Sequence, residues 1–442
     1  MMRPASSIAA TVTTALGATD PNRGVWIALS GGLDSSLLLN LAVAAADQYP
    51  RRLQALHVHH GLQSCADDFE AHCRALCRSL EIPLRVVNVR VAVEAGEGVE
   101  GAARRARYNA FQQTIPAGDT LWLAQHLDDQ AETFLLAALR GSGVGGLAAM
   151  PAERQLAGIR LQRPLLEVPR ADLEAEVQRR CLVWSEDPSN AQTTFDRNFL
   201  RHAILPQLKE RWPQASRLLA RSAHWMGEAD GLLAELADED LQRLGGRAGE
   251  LPLAALGKLS ASRQRLLIRH CLRQLGLPTP PEARLGALLE QLSARNDAQV
   301  RVCWPGVEAR CWRGTLWLMS DTLVVFDTPR DWDGHTSLVT DRGEHQLALS
   351  LLSGQAMELL VLRPREGGEM LRLAKRGQRD LKRLLQELGV PTWRRQAVAV
   401  IWHGATTVAA LDMVEGRWLA VAEGWQAQGA WWTSGTDESE NF

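Results

Sequence analysis

The sequence has no CxxC pair among its seven cysteines, and their scattered, odd-numbered placement favours free buried thiols in a reducing cytoplasm. No apolar run reaches the roughly 18 residues needed to cross a bilayer. Residues 1–22 carry one arginine and no long apolar core, so neither a membrane anchor nor a signal peptide is expected, and the cytoplasm is the expected location. Charge of one sign is also lacking. A formal net charge of −2 argues against a broadly basic nucleic-acid coat but allows local patches. No internal repeat is visible. With 442 residues, 46% hydrophobic and 23% charged, the chain has the composition of a globular protein of two or three domains.

Two common nucleotide motifs are missing as well, the GxxxxGK[ST] loop with its lysine and the GxGxxG dinucleotide turn. In their place stands an apolar run at residues 25–29, then Ser30, Gly31, Gly32, Leu33, Asp34, Ser35 and Ser36, then a second apolar run. The first run fits a buried parallel strand and the second the buried side of a helix. The two glycines permit close backbone approach, their N–H groups can converge on an anion, and the serines add hydroxyl donors. This is the pattern of a phosphate site. Asp34 would repel a bare phosphate, so its presence implies Mg2+ bridging it to a polyphosphate such as that of ATP.

Strands and helices alternate after this loop: strands at residues 53–58, 84–89 and 120–124, helices at 67–80, 100–113 and 130–139. Such alternation predicts an α/β fold with a doubly wound parallel sheet, whose ligands gather beyond the strand carboxyl ends. Ser30, His57 and His126 all occupy such ends. A glycine-rich loop at 141–146, a helix at 170–180 and a polar turn at 184–190 complete a domain expected over residues 1–216. A mostly helical domain is expected over 217–327, with a strand-rich section near its end. A polar linker over 328–347, a small α/β domain over 348–432 and a frayed tail over 433–442 follow.

Beyond the second histidine-bearing strand end, His126, Asp128, Asp129 and Glu132 form an HxDDxxE spacing. Asp129 and Glu132, three apart, share a helix face and suit either a magnesium ion or the ammonium of a substrate. His57, His59 and His60 alternate across a strand and have no cysteine placed to complete a zinc tetrad. Cys73 and Cys77, four apart beside Leu76 and Leu80, read as core. Residues 363–395 concentrate ten basic against four acidic side chains, Lys375, Arg376, Lys382 and Arg383 among them, a surplus suited to the phosphates of a nucleic acid.

At this point a family resemblance becomes specific. Ser30-Gly-Gly-Leu-Asp34-Ser35, His57-Val-His-His-Gly61-Leu62, Ala103-Arg-Arg-Ala-Arg107-Tyr108 and His126-Leu-Asp-Asp129-Gln-Ala-Glu132-Thr133 occur in order. Leu139-Arg-Gly-Ser-Gly143, Arg163-Pro-Leu-Leu166, Asp187-Pro-Ser-Asn190 and Arg197-Asn-Phe-Leu-Arg201 follow them. Together they resemble the bacterial tRNA(Ile)-lysidine synthetases of the PP-loop ATP pyrophosphatase group. The segments at 381–387 and 391–393 extend the likeness to the long, three-domain form.

The resemblance implies that the wobble cytidine of the minor isoleucine tRNA, anticodon CAU, is adenylated on its C2 oxygen and then attacked by the ε-amine of free L-lysine. It implies ATP and Mg2+ at residues 30–35 with Asp34 on the metal, and lysine at Asp129 and Glu132. Catalytic roles would fall to Asp34, His126 and Arg197, and tRNA contacts to Arg104, Arg107, Arg201 and the four basic residues named above. A homodimer is compatible with this reading. Family members commonly have a second histidine where this chain has Gln125, an Asp or Asn at His59 and an arginine at Gln63. A tRNA 2-thiocytidine synthetase of the same group is the neighbouring alternative, and a noncatalytic tRNA-binding protein the more distant one. The first needs cluster cysteines or a sulfur carrier; the second would be expected to have lost Asp34, Asp129 or Glu132.

Overall fold

The structure is a computed structural model and describes residues 7–61, 66–92, 98–186, 192–294, 300–322, 324–354 and 359–432. Gln63, the expected match at 187–190, Met357 and the tail at 433–442 lie outside the described residues. The chain forms two compact units, residues 1–232 and 233–442.

The first unit opens with α1 (Ile8–Gly17), β1 (Gly24–Ala28), α2 (Leu33–Ala46), β2 (Arg52–His59), α3 (Ala66–Ser79), β3 (Leu84–Asn88), α4 (Val99–Thr114), β4 (Thr120–Trp122) and α5 (Leu127–Leu139). It continues with α6 (Val144–Leu147), β5 (Glu153–Leu156), β6 (Ile159–Gln162), α7 (Arg170–Arg179), α8 (Asp196–Phe199) and α9 (Leu205–Arg211). The 29-residue α10 (Ala215–Arg243) runs through the boundary between the units. Six strands lie in the order β3-β2-β1-β4-β6-β5. Neighbours from β3 through β6 are parallel, and β5 pairs antiparallel with β6 as an edge hairpin. The expected doubly wound sheet is present. Its strand order reverses between β1 and β4, which opens a crevice at their carboxyl ends.

That junction is locked from below. Buried Asp119, just ahead of β4, accepts hydrogen bonds from Gly24 N and Trp26 Nε1 at 2.9 Å each, and a Cβ at position 24 would stand 2.6 Å from its carboxylate. Above it, Val25 and Ile27 on one face and Leu37, Leu38 and Leu41 on α2 are fully or almost fully buried. Each such side chain contributes about 1.5–3 kcal/mol, so β1 and α2 form a rigid frame for the loop between them.

The second unit holds β7 (Glu250–Pro252), α11 (Leu253–Leu256), α12 (Ala261–Gln274), α13 (Glu282–Ala294), β8 (Arg301–Trp304), β9 (Val307–Trp312) and β10 (Thr315–Met319). Helices α12 and α13 pack on an antiparallel sheet of order β7-β10-β9-β8, so the expected helical layer and strand-rich section share one core. Residues 328–347, expected as a linker, instead carry β11 (Arg330–Trp332), β12 (Leu338–Thr340) and β13 (Gly343–His345). Trp332 and Leu338 are buried and anchor this segment to the terminal core, a contribution that its polar composition masked.

Next come β14 (Ala348–Leu351), β15 (Leu360–Pro364), β16 (Met370–Leu373), β17 (Gly377–Asp380), α14 (Leu381–Glu387), β18 (Val398–His403), β19 (Thr406–Asp412), β20 (Arg417–Val421) and β21 (Trp425–Gln428). The expected small α/β domain is thus β-rich. A five-stranded sheet, β11-β15-β18-β19-β20, takes one seven-residue helix against it. Among the described residues no helix is long and apolar enough to cross a membrane.

Candidate active site at the phosphate loop

The backbone leaves β1 at Leu29, whose N–H continues the sheet by donating to Leu56 O at 2.9 Å, then turns through Gly31 at φ 87° into α2. A side chain at Gly31 is refused twice. The φ is left-handed, and a Cβ would meet Cys73 Sγ at 3.2 Å and Phe69 Cδ1 at 3.3 Å. Gly32 caps α2 in extended conformation without a side-chain acceptor, so the first N–H groups of the helix face the crevice. Ser30 and Ser35 hold the turn closed, with their Oγ atoms 3.0 Å apart and Ser30 N donating to Ser35 Oγ at 3.2 Å. Beside them lies a cavity of about 480 Å3.

Of the residues expected at the site, Ser30, Gly32, Asp34, Ser35, Arg107 and Asp129 line this cavity, and Gly31 and Leu33 shape the loop behind it. His57, His59, His60, Tyr108, Gln125 and Ser185 contribute further wall. Asp34, 28% exposed, is left without a hydrogen bond among the described residues. Its Oδ1 is buried without a partner, while Oδ2 stands 3.8 Å from His126 Nε2 and 3.7 Å from Arg170 Nη1. Burial lifts its carboxyl above the ordinary range against the pull of these two groups. An orphaned carboxylate oxygen among phosphate donors fits a hard divalent cation, and Asp34 is the residue that would hold Mg2+.

Asp129 is positioned at the opening of α5, where its Oδ2 accepts His126 N at 3.0 Å and its Oδ1 accepts Arg201 Nη2 at 3.1 Å. Glu132 lies one turn deeper and is 0% exposed. Its Oε1 accepts Arg201 Nε at 2.7 Å and its Oε2 accepts Arg197 Nε at 2.8 Å and Arg201 Nη2 at 2.9 Å. The expected pair is therefore split. Asp129 meets the cavity, whereas Glu132 is filled by two arginines and is corrected from a substrate contact to their anchor. A short π-helical turn at Leu200–Ile204 follows Arg197 and carries Arg201 onto the same carboxylates.

His126 also changes role. It is 1% exposed, with Nδ1 unpartnered and Nε2 between Asp34 and Asp129, at 3.8 and 3.6 Å, and it does not reach the cavity wall. Alternation along the extended segment after β4 explains this, since it turns Gln125 into the cavity and His126 behind it. Gln125 is itself held, its Oε1 accepting a short hydrogen bond from the buried Arg163 Nε, while Arg163 Nη1 donates to Pro151 O at 2.6 Å. The structure thus places His126 between two carboxylates and behind the cavity wall.

His57 donates from Nδ1 to Leu29 O at 2.8 Å, so it braces the loop from beneath. Burial, with Arg107, His57 and His59 nearby, depresses His60 to about 4, leaving a neutral ring on the wall. Arg107 is itself pushed down by burial and by Arg104 and Arg197, against the pull of Tyr108 and Glu100. Arg104 lies farther out, its guanidinium 5.0 Å from the Tyr108 ring centroid, with Arg154 at 4.9 Å from the same ring. Lys375, Arg376, Lys382 and Arg383 belong to the second unit.

Three contributors were given no role in the sequence reading. Arg170 pairs with Asp34 and opens α7; Arg163 fixes Gln125; Asp128 ties three elements by accepting Lys209 Nζ at 2.5 Å, Ser216 Oγ at 2.8 Å and Arg170 N at 2.9 Å. Burial would raise the Asp128 carboxyl, but these donors bring it down to about 2. The only signal for Asp128 was its place beside Asp129, and spacing alone does not separate a group that faces the cavity from one that faces the core.

A parallel sheet with a Ser-Gly-Gly turn at its switch point, an aspartate inside the turn and an arginine on the cavity wall defines a PP-loop nucleotide-binding protein. Residues 4–208 match the family description "PP-loop domain", residues 251–317 "TilS substrate binding domain" and residues 360–431 "TilS substrate C-terminal domain". The chain belongs to the tRNA(Ile)-lysidine synthase family. It is 42% identical over 410 residues to the tRNA(Ile)-lysidine synthase of Xanthomonas axonopodis pv. citri, spanning 91% of this chain and 92% of that one. It is 45% identical over 405 residues to that of Pseudomonas aeruginosa, spanning 88% and 90%. Membership makes the chain a tRNA-modifying enzyme of the adenylating PP-loop kind.

Proposed function

We propose that the chain converts the wobble cytidine of the CAU-anticodon minor isoleucine tRNA to lysidine, consuming ATP and free L-lysine and releasing AMP and pyrophosphate. An amine cannot expel oxide from C2 of a cytosine, so the oxygen must first be made a leaving group. In the first step the C2 oxygen attacks the α-phosphorus of ATP, one P–O bond forms, and the bond to pyrophosphate breaks. In the second the ε-amine attacks C2, a C–N bond forms, AMP departs and the amine proton is released. The wobble base has to be splayed from its loop to reach the cavity.

Residues 30–35 would bind the triphosphate, with the Ser30 and Ser35 hydroxyls turning from one another to its oxygens and Arg107 supplying positive charge. Mg2+ held by Asp34 would neutralise phosphate charge and make the α-phosphorus open to attack. Asp129 would receive the lysine ammonium, its carboxylate fixed by Arg201 and the His126 N–H. Glu132 would keep Arg197 and Arg201 in place, with Arg197 stabilising charge on the transferred group. The orphaned Asp34 Oδ1 inside the phosphate loop carries this reading. Sulfur transfer fits less well, since burial raises the Cys73 thiol behind the loop to about 12 and Cys77 to about 11.

The test is mass analysis of nucleosides after incubating the protein with ATP, lysine and unmodified minor isoleucine tRNA. The expected product is cytidine heavier by lysine less one water. Unchanged cytidine, or one oxygen exchanged for sulfur, would overturn the assignment.

A further inference from the structure

The exposed face of α10 near its start has the composition of a binding surface. Arg217, Arg221 and Trp225 recur at four-residue intervals and Leu218 lies beside them, so all four share one side of the helix. The opposite side is core, with Ala215 and Ala223 buried and the buried Ser216 donating to Asp128. Trp225 is 53% exposed and Leu218 40%, and Trp212, just ahead of the helix, is 55% exposed. Leu218 and Trp225, on the same side of the helix as two arginines, put exposed apolar surface beside positive charge, which suits an interaction site.

Charge says what the partner is. Arg221 lies over the Trp225 ring with its guanidinium 5.1 Å from the centroid. Neither Arg217 nor Arg221 forms an ion pair with a carboxylate among the described residues, and the nearby Glu228 faces His224 at 3.4 Å. A second copy of the chain would have to bring carboxylates from elsewhere on its own surface to these arginines across an isologous contact. A polyanion whose units also carry flat apolar rings satisfies both components. Arginine takes phosphate oxygens, and an indole stacks on a base of any identity at a gain of ten- to a hundredfold or so in affinity.

We propose that the Arg217, Arg221 and Trp225 face of α10 is a stacking platform for unpaired nucleotides of the RNA substrate, outside the wobble base itself. This rests on the reading of the cavity as the place where that base enters. Placement supports it. Ser216 is held by Asp128, next in sequence to cavity residue Asp129, and Trp225 lies about 14 Å farther along the helix axis. Unpaired nucleotides flanking a splayed base come within reach of such a surface. A base-paired stem, whose rings are already stacked, does not use it.

The experiment measures binding of the full chain to a stem-loop RNA carrying the CAU anticodon loop, across a salt series. Trp225→Leu keeps apolar bulk but removes the ring and is expected to weaken binding about tenfold, whereas Trp225→Phe stays within about twofold. Arg217→Gln with Arg221→Gln is expected to flatten the slope of log affinity against log salt by up to about 1.4. Trp225→Leu binding as tightly as the parent would overturn the proposal. So would a Trp225→Leu variant whose sedimentation changes from dimer to monomer while RNA binding is kept, which would make the face a contact between copies. A parent that fails to bind this RNA at all would overturn the substrate reading along with the platform. A parent that binds and modifies RNA while Trp225→Leu is silent would overturn the platform alone.

Discussion

Each unit of the molecule holds three carboxylates against three arginines. In the first, Asp34, Asp129 and Glu132 meet Arg170, Arg197 and Arg201; in the second, Glu250, Asp412 and Glu415 meet Arg342, Arg394 and Arg417. The second set is saturated. Asp412 accepts Arg394 at 2.8 Å, Glu415 accepts Arg394 at 2.9 Å and Arg342 at 3.0 Å, Glu250 accepts Arg417 at 3.0 Å, and Arg417 also pairs with Glu415. None of these six residues has a buried side-chain atom without a partner. In the first set Asp34 has one oxygen orphaned, while its other oxygen lies 3.7 Å from Arg170 Nη1 and 3.8 Å from His126 Nε2. Both sets adjoin cavities, of about 480 and 410 Å3. Neither cavity size nor charge composition therefore distinguishes a site from a brace. What does is unsatisfied valence, because a buried carboxylate oxygen without a donor costs free energy that a bound cation returns.

Breaking the open member should have the largest effect on activity and the least on folding. Asp34→Ala is expected to lower pyrophosphate release by more than about a thousandfold with an unchanged circular dichroism spectrum. Undiminished AMP formation by the folded variant would remove Asp34 from the mechanism. Asp34→Asn sharpens the point. Burial raises the Asp34 pKa in the folded state, so its protonated form is favoured there, and the stability this confers at low pH is lost as pH rises through the folded pKa. The variant should therefore melt higher than its parent at neutral pH, by about 2 °C, and the gap should close below the ordinary carboxylate range. Melting curves at both pH values check it.

Breaking the closed member should do the reverse. Asp412→Ala leaves Arg394 buried beside an empty place and is expected to destabilise the second unit by about 3–5 kcal/mol, measured by denaturant unfolding, while nucleotide binding to the first unit persists. Between the two extremes sits Glu132. If it belongs with the saturated kind, Glu132→Gln should depress adenylation and lysine transfer alike. Asp129→Asn should instead raise the lysine KM about tenfold or more and leave adenylation within about threefold. Equal loss of both steps in Asp129→Asn would favour a magnesium role for that carboxylate, and accumulation of adenylated tRNA without lysine separates the alternatives.

How much of this was legible follows from the same distinction. The sheet, its switch point and the phosphate loop were readable because burial and turn chemistry write themselves into local sequence: the apolar run ending at Leu29, two glycines, an aspartate, an apolar helix face. The placement of Asp34 and Asp129 on the cavity wall was readable for that reason. The roles of Glu132 and His126 were not, since whether a side chain three residues along a helix meets solvent or Arg201 depends on residues 65 to 69 positions away. Arg163 and Arg170 lay in recognised segments but carried no spacing of their own. The strands at residues 330–345 were hidden because their buried positions, Trp332, Leu338 and Thr340, are few and separated by polar turns. A linker and a short edge hairpin have nearly the same composition.

The basic segment of the second unit gives the smallest expected effect, because folding consumes part of the charge that the sequence displays. Arg394 is buried against Asp412 and Glu415, Arg372 pairs with Glu423, Arg376 with Glu387, and Arg395 donates to Val390 O. Lys375, Arg379, Lys382 and Arg383 are exposed, and no ion pair engages them among the described residues. Lys382 and Arg383 begin α14, whose Asp380 cap accepts Arg383 N at 3.0 Å, so their side chains can be truncated without disturbing that cap. Neutralising both to alanine should weaken tRNA binding severalfold and flatten the salt slope by up to about 1.8, with the same proportional loss for any tRNA, since phosphate contacts position a nucleic acid without reading it. Reversing Lys375 and Arg376 as well should enlarge the loss less than in proportion, because Arg376 is already engaged by Glu387. A four-site charge reversal that binds tRNA with the parent's affinity and salt dependence would show that this unit's exposed charge is solvated surface, and that tRNA is held elsewhere.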